Sequence, residues 1–162
     1  MLSGKKLRIA RYILWTLLLG MLVIIFLFSA QKGEDSGETS GYIAQMVLRI
    51  LRPDYVFLPE ETQQALLERT DWIVRKGAHF SEYAVLAFIL YLLLRTYPLK
   101  IYAAWAWLGA TGYAVTDEVH QLFVGERAGS MKDVLLDSCG AAAGVALAYL
   151  LVKWKLKKGK KV

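Results

Sequence analysis

An all-α, polytopic membrane protein is the fold class this sequence predicts, and three observations predict it. The chain is 56% hydrophobic over 162 residues, leaving too little polar surface to cover a soluble globule. Its apolar residues fall into four runs, each long enough to cross about 30 Å of hydrocarbon, which takes roughly 20 helical residues. Its charges gather into short blocks beside those runs.

The runs are residues 9–29, 78–96, 101–121 and 134–152. Lys5, Lys6, Arg8 and Arg11 precede the first, as in a secretory signal. Its apolar stretch is too long for one, however, and Phe28 stands where a cleavage site wants a small residue, so it reads as a retained anchor. Residues 31–76 form the one sizeable segment outside the spans. Within it, the Gly, Ser and acidic residues of 31–40 predict a flexible connector. Residues 42–51 have helical apolar spacing, and a second helical stretch runs through Ala65, Leu66 and Leu67 after Pro53 and Pro59. Both predict short amphipathic helices lying on the membrane surface. Asp71 is placed to cap the second span. Gly140 and Gly144 on the fourth span predict close backbone packing in lipid. Gly109, Gly112 and several alanines predict the same for the third. Cys139 lies inside the fourth span and reads as a small packing residue.

Lysine and arginine set the orientation, because short flanks rich in them stay in the cytoplasm. One basic block precedes the first span. Another, from Lys153 to Lys161, follows the last, and Arg95 and Lys100 flank the turn at Pro98. An even number of crossings puts all three on one side, with both termini cytoplasmic and residues 31–76 and 122–132 outside. The net charge of +6 is then a topology signal and an attraction to anionic inner-leaflet lipid. It is not read as nucleic-acid binding, since no basic groove is interleaved with aromatics.

That topology brings every polar cluster to the outer face. Lys76, His79 and Glu82 share one helical face at the head of the second span. Asp117, Glu118, His120 and Gln121 close the third, Arg127 lies in the following loop, and Asp133 and Asp137 open the fourth. An ionised side chain at membrane depth costs about 2.5–3.5 kcal/mol on insertion scales, so such a cluster persists by facing protein or water. Together these residues predict a polar bowl at the outer leaflet, with acids in excess of fixed cations. Crowded like charges in low dielectric require protons, histidine or a bound cation for balance.

The pattern Phe28-Ser29-x-Gln31, Arg75-Lys76-x-x-His79-Phe80-x-Glu82-Tyr83, Asp117-Glu118-x-His120-Gln121-x-Phe123-x-x-x-Arg127 and Asp133-x-x-x-Asp137-x-x-Gly140-x-x-x-Gly144 resembles the VanZ family of small bacterial membrane proteins. The resemblance covers residues 28–144. It implies a bacterial cell-membrane protein whose founding relatives give low-level resistance to teicoplanin, a lipid-tailed glycopeptide antibiotic, or serve some other task of the cell envelope.

Three functional readings follow. In the first, the bowl binds an amphiphilic envelope or glycopeptide ligand: Lys76 and Arg127 meet phosphate or carboxylate, and the acids meet amines or sugar hydroxyls. In the second, His79, Glu82, Asp117, His120 and Asp137 are candidate ligands for a divalent metal, and with Asp133 they supply donors for a hydrolase or transferase acting on a lipid head group. There His79, Glu82, Asp117 and His120 are the catalytic candidates. The spacing His79-x-x-Glu82 does not match the His-Glu-x-x-His zinc helix, and no serine or cysteine stands in a recognised nucleophile pattern. The third reading is a proton-coupled transporter or lipid flippase, which four short spans accommodate only as a homo-oligomer.

Overall fold

A computed structural model of the chain describes residues 4–31, 33–125 and 129–159. Among these residues run five α-helices, one 3-10 turn and no strand: α1 (Gly4–Ser29), α2 (Gly33–Leu51), the turn at Tyr55–Phe57, α3 (Glu60–Leu94), α4 (Tyr102–Gln121) and α5 (Met131–Gly159). The all-helical expectation holds. Of these helices, α1, α3 and α5 are long and apolar enough to cross a membrane. The 20 residues of α4 span about 30 Å, but its tryptophans, tyrosines and closing Thr116–Gln121 turn dilute its hydropathy. By length and composition the count of spans is therefore three rather than four among the described residues.

Three expectations about residues 31–76 are corrected. The predicted connector is helical from Gly33 onward. Ser40, Ala44 and Leu48, spaced four apart, are buried, and α2 lies against α3. Tertiary burial of an apolar stripe outweighs the low helix propensity of Gly and Ser. The predicted second surface helix is no separate element either, because it runs unbroken into the following span as the 35-residue α3. No proline interrupts it after Pro59, which starts it, and Glu60 and Glu61 suit its first turn. Asp71 is consequently interior to α3 rather than a cap. It accepts a hydrogen bond from Ser40 Oγ and pairs with Arg75 at 3.2 Å, tying α2 to α3. At about 52 Å for its 35 residues, α3 is longer than a hydrocarbon core of about 30 Å.

Side-chain bonds fix the helix directions. Arg11 donates to the Thr96 hydroxyl at 3.2 Å and to its carbonyl, with the guanidinium 4.2 Å over the Tyr97 ring. Trp15 Nε1 donates to Tyr97 Oη at 3.1 Å. Further along α1, the Leu22 carbonyl accepts from Tyr113 Oη at 2.9 Å. Helix α1 therefore runs antiparallel to α3 and parallel to α4. The pairs Lys76–Asp133 and His79–Asp137 show α3 and α5 running parallel. The N-terminal end of α1 and the C-terminal end of α5 thus share one end of the bundle.

The core is built of Ile25, Tyr83, Leu86, Ala87, Leu93, Ala110, Ala114 and Ala141, with Tyr91, Ala106 and Ala148 forming a second cluster. Large apolar residues such as Ile13, Leu17, Val23, Leu135 and Leu150 are exposed on the outside, as lipid-facing side chains are. Cys139 is exposed too. Its expected packing role is therefore corrected: the inward stripe of α5 is taken by Asp137, Gly140, Ala141, Gly144 and Ala148. The Gly140–Gly144 pair does what its spacing predicts. A Cβ on either would collide with the carbonyl of Phe80 or of Ala84 on α3.

Gly144→Ala is therefore expected to destabilise the detergent-solubilised protein by about 1–3 kcal/mol, since overpacking here meets backbone. Gly112, with open space around it, is the control: Gly112→Ala should be neutral or stabilising by up to about 1 kcal/mol through helix propensity. Thermal or denaturant unfolding of the two variants checks the difference in sign.

Candidate functional site

The parallel run of α3 beside α5 sets opposite charges against each other. Lys76 Nζ reaches Asp133 Oδ1 at 2.5 Å, with both side chains partly buried. One turn further in, His79 Nδ1 stands 4.0 Å from Asp137 Oδ1. Asp137 is fully buried, and neither of its carboxylate oxygens accepts a hydrogen bond from the described residues. The fully buried Tyr83 lies between α4 and α5, with its hydroxyl facing Asp117 and Asp137. Asp117 Oδ2 accepts from Gln121 Nε2 at 3.2 Å, one turn along α4. An unsatisfied buried polar group costs about 1–3 kcal/mol, so this knot of acids is not what packing alone would choose.

Above the knot lies a cavity of about 440 Å³. Phe28, Ser29 and Gln31 bound it at the end of α1, and Ser36, Thr39, Ser40 and Ile43 form a wall from α2. From α3 come Trp72, Arg75, Lys76, His79 and Glu82, from α4 Asp117 and Gln121, and from α5 Asp133. The lining combines two cations, three carboxylates, a histidine, several hydroxyls and an aromatic-aliphatic wall. A volume of this size suits a small molecule or the head of a larger one.

Residues 14–152 match the family model described as VanZ/LLP1. The chain belongs to the VanZ/LLP1 family. No curated protein and no solved structure matches it. The matched segment holds all four blocks of the sequence pattern, and within this VanZ/LLP1 chain the structure sorts their residues. Lys76, His79, Glu82, Asp117, Gln121 and Asp133 converge on the cavity, and Asp137 sits beneath it.

Neither Glu118 nor His120 lines the cavity, although Glu118 is buried and one of its carboxylate oxygens has no hydrogen-bond partner among the described residues. Glu118 turns toward the α4–α5 loop, where Oε2 accepts from the Ser130 amide at 2.7 Å and Gly129 lies tight against its carbonyl. His120 faces α1, with Nδ1 3.4 Å from Ser29 Oγ and its ring 5.0 Å from that of Phe26. An i,i+3 partner on the same helix need not share a destination when two different helices flank it. Arg127 lies outside the described residues. No three His, Cys, Asp or Glu side chains among the described residues are grouped so as to hold a metal ion; His120 in particular is separated from His79 by its turn toward α1.

Sequence reasoning left Arg75 and the α2 wall out of the site. The signal for Arg75 was present, since Trp72, Arg75, His79 and Glu82 follow the three-and-four spacing of one helical face. The α2 residues carried none, because their hydroxyls lie in a stretch whose composition imitates a linker.

The Lys76–Asp133 pair is expected to couple α3 to α5. In a double-mutant cycle of Lys76→Ala and Asp133→Ala, each single variant should be more destabilising than its own share of the double, with a coupling energy of about 1–2 kcal/mol. Additive single effects on unfolding would show that the contact holds nothing together.

Proposed function

We propose that this protein recognises the polar part of an amphiphilic cell-envelope molecule or of a lipid-tailed glycopeptide, at the extracytoplasmic face of a bacterial membrane. The observation that carries this reading is a single cavity, at one end of a bundle of membrane-crossing helices, that pairs both signs of charge with an apolar wall. Arg75 and Lys76 suit carboxylate or phosphate, Glu82 and Asp117 suit an amine, and the α2 hydroxyls suit a sugar. Ile25, Phe28, Ile43 and Trp72 offer a surface along which an acyl tail continues into lipid. The cavity is too small for an entire glycopeptide, so a head group, sugar or chain terminus is what enters. Membership of the VanZ/LLP1 family supports the same reading through the teicoplanin resistance of the founding VanZ proteins, and resistance or envelope maintenance is the proposed outcome. The cation pairs Lys76–Asp133 and Arg75–Asp71 balance the two cations of the wall until a ligand exchanges for one partner.

In this reading α4 crosses the bilayer with α1, α3 and α5, and both termini are cytoplasmic. The basic residues at the N-terminal end of α1 and the C-terminal end of α5, which share one end of the bundle, favour it. In a Cys139→Ser background, Phe123→Cys at an exposed position of the α4–α5 loop should label with a membrane-impermeant maleimide on intact cells, and Lys158→Cys only after permeabilisation. The reverse pattern inverts the protein and removes the site from the envelope side.

Purified protein in nanodiscs should bind teicoplanin more tightly than a glycopeptide lacking the tail. Glu82→Gln and Asp117→Asn should each weaken that binding by about tenfold, the loss of one charge-assisted hydrogen bond, and lower resistance in expressing cells at equal membrane abundance. Leu135→Ala, on the lipid-facing surface, should change neither. Wild-type binding and resistance in both acid variants would remove the cavity from the function.

A further inference from the structure

We infer that the opposite end of the bundle carries a second binding site, for a phosphate-bearing anion such as the head group of an acidic phospholipid. A cavity of about 360 Å³ lies there between the C-terminal end of α3, the start of α4 and the last turns of α5. Arg95, Lys153 and Lys157 line it together with Tyr91, Tyr102 and Tyr149, and no carboxylate is among its lining residues. From Asp137 to Lys153 the 16 intervening steps of α5 amount to about 24 Å, so this cavity is separate from the polar one.

Ordinary packing does not account for the cluster. Lys153 and Lys157 are four apart on one helix face, where like charges repel, and Arg95 approaches from another helix. None of the three forms an ion pair with a described residue. Lysines at a helix C-terminus are favoured by its dipole, and Lys155 and Lys158 need no further reason. That argument does not bring Arg95 into the same cavity. The tyrosines give the site a fixed frame: Tyr91 is buried and meets Tyr102 edge to face at 5.2 Å. Tyr149 holds Lys153 with its hydroxyl at 3.4 Å and its ring at 5.4 Å.

A second feature carries the same sign. Helix α4 starts at this cavity with Tyr102, and the preceding Ile101 (φ 51°, ψ 31°) gives no side-chain cap. The positive dipole end of α4 therefore adds to the three cations, which together match a phosphodiester or phosphomonoester. Val152 and Leu156 complete the lining, giving an acyl chain an apolar path outward. The chemistry is shared by a lipid head group and by free phosphate, and the test separates them.

Full-length protein in neutral detergent is titrated with phosphatidylglycerol and with phosphatidylcholine, and retained lipid is read by native mass spectrometry. Inorganic phosphate is titrated separately and followed by the broadening of its phosphorus resonance. Two charge-matched double variants are compared: Arg95→Gln/Lys153→Gln at the cavity, and Lys155→Gln/Lys158→Gln outside it. Preferential retention of phosphatidylglycerol, weakened about tenfold in the cavity variant and no more than about twofold in the other, establishes the site with lipid as its source. Phosphate broadening with the same variant dependence establishes it with a soluble anion as the source. Equal loss in the two double variants, or no preference for phosphatidylglycerol together with no phosphate broadening, overturns it. All four positions are exposed, and circular dichroism confirms that each variant is folded.

Discussion

Where Gly140 and Gly144 lack side chains, the carbonyls of Phe80 and Ala84 occupy the space, and this backbone contact between α3 and α5 governs the rest of the molecule. Lipid tails offer no hydrophobic drive for two apolar helices to associate, so close van der Waals fit has to supply it. The contact also fixes register. Once Gly140 lies on Phe80, Asp137 comes beside His79 and Asp133 beside Lys76. The polar end of the bundle is thus positioned from below by two residues that carry no chemistry.

What that register positions is costly. Asp137 is fully enclosed with no hydrogen bond from a described residue, and the Tyr83 hydroxyl beside it is similarly enclosed. A bundle selected for stability alone would hold leucine or alanine at these depths. Stability spent at one cluster while the neighbouring Ala and Gly faces pack tightly is the usual mark of a site kept for use. The two cation pairs at the cavity wall soften the electrostatic penalty without consuming every donor and acceptor there.

Much of this was legible in the sequence. Apolar runs gave α1, the membrane-embedded part of α3, and α5, because length and hydropathy suffice for that. The spacing of Lys76, His79 and Glu82, and of Asp133 and Asp137, placed most of the cavity's charged lining, because residues on one helical face travel together. The reading broke down where tertiary contact overrides local composition. Residues 33–40 look like a linker yet are helical, since Ser40, Ala44 and Leu48 find a partner in α3. Glu118 and His120 carry the same chemistry as Asp117, but α4 is flanked by α1 on one side and by the α4–α5 loop on another. Spacing alone does not say which neighbour each turn of a helix meets.

Helix α3 passes without a break from the lipid-embedded bundle into the projecting wall of the cavity. With α3 crossing the bilayer as proposed, the height of the cavity mouth above the hydrocarbon is set by a rigid length rather than by a hinge. Membranes differ in thickness by a few Å, and helices answer such mismatch by tilting or by deforming the bilayer around them. A thicker host membrane would draw the Arg75–Lys76 turn deeper and a thinner one would lift it clear, so bilayer composition becomes a physical control on how much water the site sees.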